Sequence, residues 1–227
     1  MRIDIISATP DLFESPLKSS IIKRSQTKGI TEIHVHNLRD YAYDKHRMID
    51  DKPFGGGAGM VLKPEPFFEV ISKLKSERTY DAVIFTVPHG KIFSQEDANR
   101  LSLKNNLLFV AGHYKDIDDR VREYFATEEI SIGNFVLTGG ELPVLLMADA
   151  IIRLIPGVLN DSESALDDSF QDGMRIAAPS YTRPAEYNGL GVPPVLLAGN
   201  HQEVKKWKEM QSEIMTAKWK KLNNIPE

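Results

Sequence analysis

Hydrophobic residues in the first two thirds of the chain alternate between strand-like and helix-like spacing. Strands are predicted where β-branched residues alternate with polar ones or where apolar residues run unbroken, at residues 2–7, 31–37, 82–87, 107–111 and 128–132. Helices are predicted where apolar residues recur every three or four positions, at residues 17–28, 64–75, 117–125 and 141–154, and after the capping sequence SQED that starts at Ser94. This alternation predicts an α/β fold with a largely parallel sheet.

Glycine follows three of the predicted strands. These glycines lie in segments 88–90 and 112–114 and at positions 133, 139 and 140. Ligands of parallel sheets bind beyond the carboxyl ends of the strands, and glycine lets the backbone approach a ligand closely. The sequence therefore predicts a ligand site at this edge of the sheet.

The pattern changes after residue 157. Residues 160–172 are polar and acidic with no clear period, which predicts a linker or a mobile loop. Residues 179–194 are rich in Pro, Tyr and Gly, and one helix is predicted from about His201 to Leu222. We therefore predict a first domain of residues 1–158, a linker of residues 159–170 and a C-terminal helical domain of residues 171–227.

Charge is distributed unevenly along the chain. The 28 Lys and Arg against 32 Asp and Glu give a net charge of −4, which by itself argues mildly against nucleic-acid binding. From Gln171 onward, 8 basic against 6 acidic residues give +2, and most of these basic residues are lysines between positions 204 and 221. That lysine-rich stretch is either a solvated helix face or a basic face that attracts a phosphate backbone.

Composition and spacing exclude several kinds of site. The chain has no cysteine, so disulfides, iron–sulfur clusters and a thiolate nucleophile are excluded, and a reducing compartment is favoured. The six histidines have no HExxH or similar spacing, so no metal site is predicted. The N-terminal residues lack a signal-peptide pattern. The most apolar stretch, residues 142–152, is too short and too polar to span a bilayer, so no membrane partner is expected.

Three local features are candidate functional groups, and each has a structural alternative. The glycine run at residues 55–59 follows no strand and opens no clear helix, so it is a substrate loop or a turn rather than a dinucleotide site. Asp168 is either a general base on a closing loop or a helix N-cap. Arg153, in an apolar run, is either an anion ligand or a cation at a helix C-terminus.

Five blocks of sequence occur in the order found in a known enzyme family. They are DKHRMIDDKPFGGGAGMVL, LLFVAGHYKDIDDRVRE, EEISIGNFVLTGGELPVLLMADAIIRLIPGVL, DDSFQDG, and YTRP followed by VPPVLLAGNHQEVKKW. Together they resemble the bacterial tRNA (guanine-N1)-methyltransferases, a branch of the SPOUT methyltransferases. The blocks extend from about Asp44 to Trp207, and SIGxxVLTGGELP is highly specific for this family.

This resemblance implies a fold, a cofactor and an assembly. The sheet would be of the SPOUT type with a deep trefoil knot, which general topology rules would reject. The methyl donor, S-adenosylmethionine, would lie bent in the knot, and a homodimer would share each active site between its subunits. The residues that match the family's donor pocket are Pro88, Gly112, Tyr114, Ile132, Gly133, Asn134, Phe135, Val136, Leu137, Gly139, Gly140 and Pro143.

The resemblance also implies a substrate and catalytic roles. The substrate would be the anticodon stem-loop of tRNA in the cytoplasm, methylated at N1 of guanosine 37. Asp168 matches the family's general base, and Arg153 matches the arginine that acts with it. The residues assigned to RNA binding are Asp50, Gly57, Gly59, Arg183, Lys205 and Lys206.

The chain departs from the common family pattern beside the donor pocket. Lys115 and Asp116 stand where many members have Glu and Gly, and Asn134 stands where many have Asp. These differences leave open whether Mg²⁺ takes part and what contacts the donor's amino group. Two alternatives also stay open: a SPOUT enzyme that methylates ribose or another base, and an RNA-binding protein with weakened catalysis.

Overall fold

The computed structural model describes residues 1–159, 168–171 and 173–225. The chain divides into two units, Met1–Asn160 and Asp161–Glu227. Most of the predicted linker at residues 159–170 lies outside the described residues.

A parallel sheet forms the centre of the first unit. In chain order, the strands of this unit are β1 (Arg2–Ser7), β2 (Glu32–Asn37), β3 (Asp50–Asp51), β4 (Val61–Leu62), β5 (Ala82–Ile92), β6 (Asn106–Val110), β7 (Asp116–Ile117) and β8 (Glu128–Ser131). Five of them form one sheet in the order β2-β1-β6-β5-β8, and each neighbouring pair is parallel. The predicted α/β fold with a largely parallel sheet is therefore confirmed.

Helices cover both faces of this sheet. They are α1 (Glu14–Leu17), α2 (Ser20–Thr27), α3 (Pro64–Glu77), α4 (Gln95–Ser102), α5 (Asp119–Phe125) and α6 (Glu141–Ile152). Successive side chains on a strand point to opposite faces. Ile84 of β5 accordingly packs in one core with α4 and α6, whereas Phe85 packs in a second core with α3 and α5. Each such fully buried side chain contributes roughly 1.5–3 kcal/mol.

Two predicted elements have different bounds in the structure. The helix predicted over residues 17–28 is observed as α2, which begins only at Ser20, a residue with a φ of 50°, whereas Leu17 is the last residue of the preceding short helix α1. The strand predicted to end at residue 87 continues to Ile92, so segment 88–90 lies within β5 and not beyond it. Pairing of β5 with β8 shifts register between Thr86 and Lys91. Residues 87–90 are therefore not paired with β8 in regular register, and they can line a ligand site although they belong to a strand.

A small sheet joins the glycine run to the segment after β6. In this sheet β4 pairs antiparallel with β3 and parallel with β7. The sequence does not predict this sheet, because two-residue strands carry no measurable period. The sheet holds residues 55–59, which lie between β3 and β4, in place.

Asp4 of β1 is a buried carboxylate with three hydrogen-bond partners. Arg2 Nε and Tyr80 OH each donate to Asp4 Oδ2 at 2.8 Å, and His36 Nε2 lies 2.7 Å from Asp4 Oδ1. Burial raises the pKa of Asp4, but the hydrogen bonds from His36, Arg2 and Tyr80 outweigh burial and hold that pKa well below its ordinary value. The ionised form of Asp4 therefore stabilises the folded state.

We expect Asp4→Asn to lower the free energy of unfolding by about 3–5 kcal/mol at neutral pH, because it removes the buried carboxylate that accepts these hydrogen bonds and leaves the half-buried Arg2 with only the exposed Glu32 as counterion. A carboxyl whose folded-state pKa is depressed stabilises the fold above its unfolded pKa of about 4, and this contribution is lost as the pH falls towards the folded value. Urea unfolding at several pH values should show the gap between wild type and Asp4→Asn narrowing below about pH 4. The exposed Asp11→Asn is the control, and equal stability of the two variants would refute this account.

The second unit is built around one long helix. Its described elements are β9 (Glu186–Tyr187), β10 (Leu190–Gly191), α7 (Pro194–Leu197) and α8 (His201–Leu222), and β9 and β10 form an antiparallel hairpin. The Asn200 side chain caps α8 by accepting hydrogen bonds from the backbone N–H groups of Gln202 and Glu203. The helix predicted over this stretch is confirmed. In the part of the chain that the structure describes, no helix is long and apolar enough to cross a membrane.

Candidate functional site

A pocket of about 240 Å³ lies in the first unit, where β6 and β8 end and where the pairing of β5 with β8 shifts register. Its lining comes from segments 86–88, 112–116 and 130–143. The residues matched to the donor pocket that line it are Pro88, Gly112, Tyr114, Ile132, Gly133, Phe135, Val136, Leu137, Gly139, Gly140 and Pro143. Asn134 is not among the lining residues. Ligand sites commonly enclose roughly 300–1,000 Å³, so a nucleoside-sized ligand would project in part from this cavity.

Gly139 and Gly140 bring the turn before α6 against the end of β6. The N–H of Gly140 donates to the carbonyl of Gly112 at 2.7 Å. A Cβ added to Gly140 would lie 2.8 Å from Gly112 N and 3.0 Å from Ala111 Cα. The φ of Gly140 is −82°, so lack of space and not backbone conformation requires glycine there. The result is a stretch of bare backbone in the pocket wall.

The buried carboxylate of Glu141 ties this turn to the end of β1. Its Oε1 accepts hydrogen bonds from Ser7 Oγ and Thr9 Oγ1, both at 2.8 Å. Its Oε2 lies 3.6 Å from His113 Nδ1, a buried atom with no hydrogen-bond partner among the described residues. A carboxylate in the first turn of a helix is also favoured by the helix dipole. Glu141 therefore holds the pocket turn in position, a role that was not predicted from the sequence.

Apolar side chains are exposed beside the pocket. Val136 is 97% exposed and Phe135 is 58% exposed. Leu142 and Leu146, four residues apart on one face of α6, are also exposed. Exposed apolar clusters of this kind mark surfaces that bind a ligand or another chain.

Lys115 lies between the pocket and the glycine run. It lines the pocket, and its backbone N–H donates to the Met60 carbonyl at 3.0 Å. A Cβ added to Gly57 would lie 3.6 Å from Lys115 Nζ, and one added to Gly59 would lie 3.6 Å from Lys115 Cβ. Asp50 pairs with Leu62 in the small sheet that supports the same run. Two residues assigned to RNA binding, Gly57 and Gly59, thus lie beside the pocket, whereas Asp50 is separated from the β7 strand by β4.

The other predicted site residues lie elsewhere. Arg153 is the C-cap of α6 and its N–H donates to the Asp149 carbonyl at 3.1 Å, a position compatible with both of its predicted roles. Asp168 belongs to the second unit, where it lies outside any helix of the described residues. Arg183, Lys205 and Lys206 also belong to the second unit, the two lysines on α8.

Eight lining residues were not assigned to the donor pocket from the sequence, although His113 belongs to the predicted ligand segment 112–114 and Lys115 and Asp116 were expected beside the pocket. The eight are Thr86, Val87, His113, Lys115, Asp116, Ile130, Ser131 and Thr138. All of them adjoin predicted strand ends or predicted pocket residues in sequence, so extending each segment by one or two positions would have found most of them. Within residues 1–159, 168–171 and 173–225, no three His, Asp or Glu side chains group together in a way that could hold a metal ion.

Fold and pocket together define a class: an α/β protein with a glycine-walled ligand pocket at the carboxyl edge of a parallel sheet. The family described as tRNA (Guanine-1)-methyltransferase TrmD matches residues 1–223. The chain belongs to this family of methyltransferases, and the family predicted from the sequence is confirmed.

Individual relatives agree with this assignment. The chain is 58% identical over 212 residues to a tRNA (guanine-N(1)-)-methyltransferase of Bacteroides fragilis, covering 93% of this chain and 94% of that protein. It is 56% identical to the protein of the same name from Bacteroides thetaiotaomicron, covering 96% of each. For the protein of that name from Chlorobaculum tepidum, the identity is 54%, covering 95% of this chain and 94% of that protein.

Proposed function

We propose that this chain transfers a methyl group from S-adenosylmethionine to N1 of guanosine 37 in tRNA, next to the anticodon. One observation carries the proposal: bare backbone at Gly140 packs on Gly112 to wall a pocket at the ligand edge of the sheet, in a chain of this methyltransferase family. Relatives that cover at least 93% of the chain are named for guanine-N1 methylation of tRNA.

The pocket residues suit a nucleoside that carries a sulfonium group. Apolar side chains such as Val87, Ile130 and Leu137 can enclose a flat base, and the peptide groups around Gly112 and Gly140 can hydrogen-bond its edge. Bound S-adenosylmethionine would supply a methyl group already activated by the positive sulfur, so the protein mainly contributes alignment. The donor site we propose comprises Pro88, Gly112, Tyr114, residues 132–137, Gly139, Gly140 and Pro143.

Asp168 acts as the general base in this proposal, and Arg153 stabilises charge. Guanine N1 carries a proton and is a poor nucleophile while neutral. A carboxylate within hydrogen-bond reach takes that proton as the bond between N1 and the methyl carbon forms. Negative charge then builds on the purine, chiefly at O6, where an always-charged guanidinium stabilises it. The proton ends on Asp168, the methyl group on N1, and the donor leaves as a neutral thioether.

The assembly we propose is a homodimer with a shared active site and a trefoil knot in each domain of residues 1–158. Exposed Phe135 and Val136 beside the pocket, and Leu142 and Leu146 on α6, support it, because a second chain would remove this apolar surface from water. A shared site also lets two chains contribute residues to one catalytic centre.

The anticodon stem-loop is the proposed RNA ligand, held near Asp50, Gly57 and Gly59 and by the C-terminal domain, residues 171–227, joined through the linker 159–170. In that domain we assign Arg183, Lys205 and Lys206 to the RNA, because the positive charges of arginine and lysine attract the phosphates of the RNA backbone. Single-stranded loop bases are the usual target of sequence-specific RNA recognition. A tRNA substrate places the enzyme in the cytoplasm.

The proposed steps use side chains and backbone alone. Lys115 and Asp116 line the pocket where the common family pattern has glutamate and glycine. The lysine ammonium repels a cation and the aspartate carboxylate attracts one, so the two charges offset each other and we assign no residue to Mg²⁺.

The test is methyl transfer in vitro with identification of the product nucleoside. The protein is incubated with S-adenosylmethionine and unmodified tRNA bearing guanosines at 36 and 37, and the digested RNA is analysed by chromatography and mass spectrometry. We expect 1-methylguanosine. A 2′-O-methyl nucleoside would instead identify an enzyme that acts on ribose. A silent calorimetric titration with the donor would favour an RNA-binding protein without turnover.

A further inference from the structure

The turn that carries Asp168 closes on itself within the second unit. Phe170 N–H donates to the Arg175 carbonyl at 2.7 Å, and Ala177 N–H donates to Ser169 Oγ at 2.9 Å. Phe170 has a φ of 70°, in the left-handed region that non-glycine residues seldom adopt. The residues that directly follow the proposed base therefore have a defined conformation.

Helix α8 anchors this turn through one of its faces. Ser212, Thr216 and Trp219 recur at a spacing of four and three residues, which places them on the same side of the helix. Ser212 Oγ donates to the Ile176 carbonyl at 2.5 Å, and Thr216 Oγ1 accepts from Ile176 N–H at 2.9 Å. Both backbone groups of one turn residue are thus held by α8.

Two further contacts join the turn to helix α8. Arg175 Nε donates to Ser212 Oγ at 2.9 Å. The ring of Phe170 meets Trp219 edge to face, with centroids 5.2 Å apart. Ser212 is only 2% exposed, and a buried hydroxyl that makes hydrogen bonds is costly to disturb. The contacts involve both ends of the turn, so the turn and α8 form one body.

We propose that Ser212, Thr216 and Trp219 are positioning residues, through which α8 sets the place of the Asp168 carboxylate in catalysis. The inference rests on the proposed role of Asp168 as the base. The same helix also carries exposed lysines, among them Lys206, Lys218 and Lys221. RNA that binds α8 thereby also fixes the base, so proton removal is coupled to correct docking of the substrate. A misplacement of about 1 Å can cost about 100-fold in rate.

Trp219→Ala tests this coupling, with Trp207→Ala as its matched control. Trp207 lies on the same helix and contacts Tyr181, with ring centroids 6.2 Å apart, so its loss removes an aromatic ring of equal size away from the turn. Single-turnover rates are measured at saturating donor and tRNA, and donor affinity is measured by calorimetry. We expect Trp219→Ala to lower the rate about tenfold or more with donor affinity unchanged, Trp219→Phe to restore most of it, and Trp207→Ala to keep the wild-type rate.

Thr216→Val is the second variant, and it tests the positioning role of α8 even if Trp219→Ala fails to fold. It keeps the side-chain shape and removes the acceptor of the Ile176 N–H, so its rate should also fall. Wild-type rates in both variants at saturating tRNA, or a loss confined to tRNA affinity, would overturn the inference. Asp168→Ala distinguishes a failure of the positioning role of α8 from a failure of the proposed role of Asp168 as the base. If that variant is inactive while the α8 variants are normal, only the positioning role fails, and if Asp168→Ala keeps full activity, the proposed base itself fails.

Discussion

Asp168→Ala is expected to lower the rate of methyl transfer by about 10²- to 10⁴-fold, the range in which general bases contribute. Without the carboxylate, the proton on guanine N1 has no acceptor when the methyl group arrives. Donor affinity should change less than about twofold, because a base acts in the transition state and not in donor binding. The measurement is the single-turnover rate with mapped product, paired with a calorimetric titration of the donor.

Asp168→Asn is the matched control for this result. It keeps the size of the side chain and removes only its ability to accept a proton, so it should be nearly as slow as Asp168→Ala. An active asparagine variant would mean that residue 168 orients the guanine and does not remove its proton. A parallel loss of donor binding in both variants would show that the role was assigned wrongly.

Gly140→Ala is expected to weaken donor binding by about 5- to 150-fold, equivalent to about 1–3 kcal/mol of overpacking. The new Cβ would meet Thr86 Oγ1 and lie 2.8 Å from Gly112 N and 3.0 Å from Ala111 Cα. Thr86 could turn away, but the backbone of Ala111 and Gly112 cannot move as easily, because it directly follows β6 and the Ala111 N–H donates to the Ile6 carbonyl. The turn must then move, and with it the pocket wall that we assign to the donor.

Gly191→Ala provides a control of the same chemistry. Gly191 is exposed on β10, and a Cβ there meets nothing within 4 Å. Donor affinity and thermal stability should match those of the wild type. If Gly140→Ala binds the donor normally as well, the pocket beside Gly140 is not the donor site.

The sheet could be predicted from the sequence because each of its buried strands has a recognisable pattern within its own few residues. Continuous apolar runs at residues 82–87 and 107–111 belong to strands covered on both faces. The capping box at Ser94 is equally local, and both of its reciprocal hydrogen bonds with Asp97 are present at the start of α4. Signals of this kind need only neighbouring residues, so single-sequence reasoning finds them.

Other features depend on residues that are distant in sequence. Glu141 is a buried carboxylate only because Ser7 and Thr9, more than 130 positions earlier, donate to it. No local pattern near Glu141 contains that information. The hydrogen bond from Ile176 N–H to Thr216 Oγ1 likewise joins residues 40 positions apart. The roles of Asp168 and Arg153 came from motif resemblance, since local patterns left each with a structural alternative.

The most direct test is a structure of the protein with tRNA and an unreactive analogue of the donor. Our account predicts that a carboxylate oxygen of Asp168 lies about 2.6–3.2 Å from N1 of guanine 37, on the path along which the methyl carbon would arrive. If the Asp168 side chain lay far from that nitrogen in every active site of the complex, the mechanism would be contradicted.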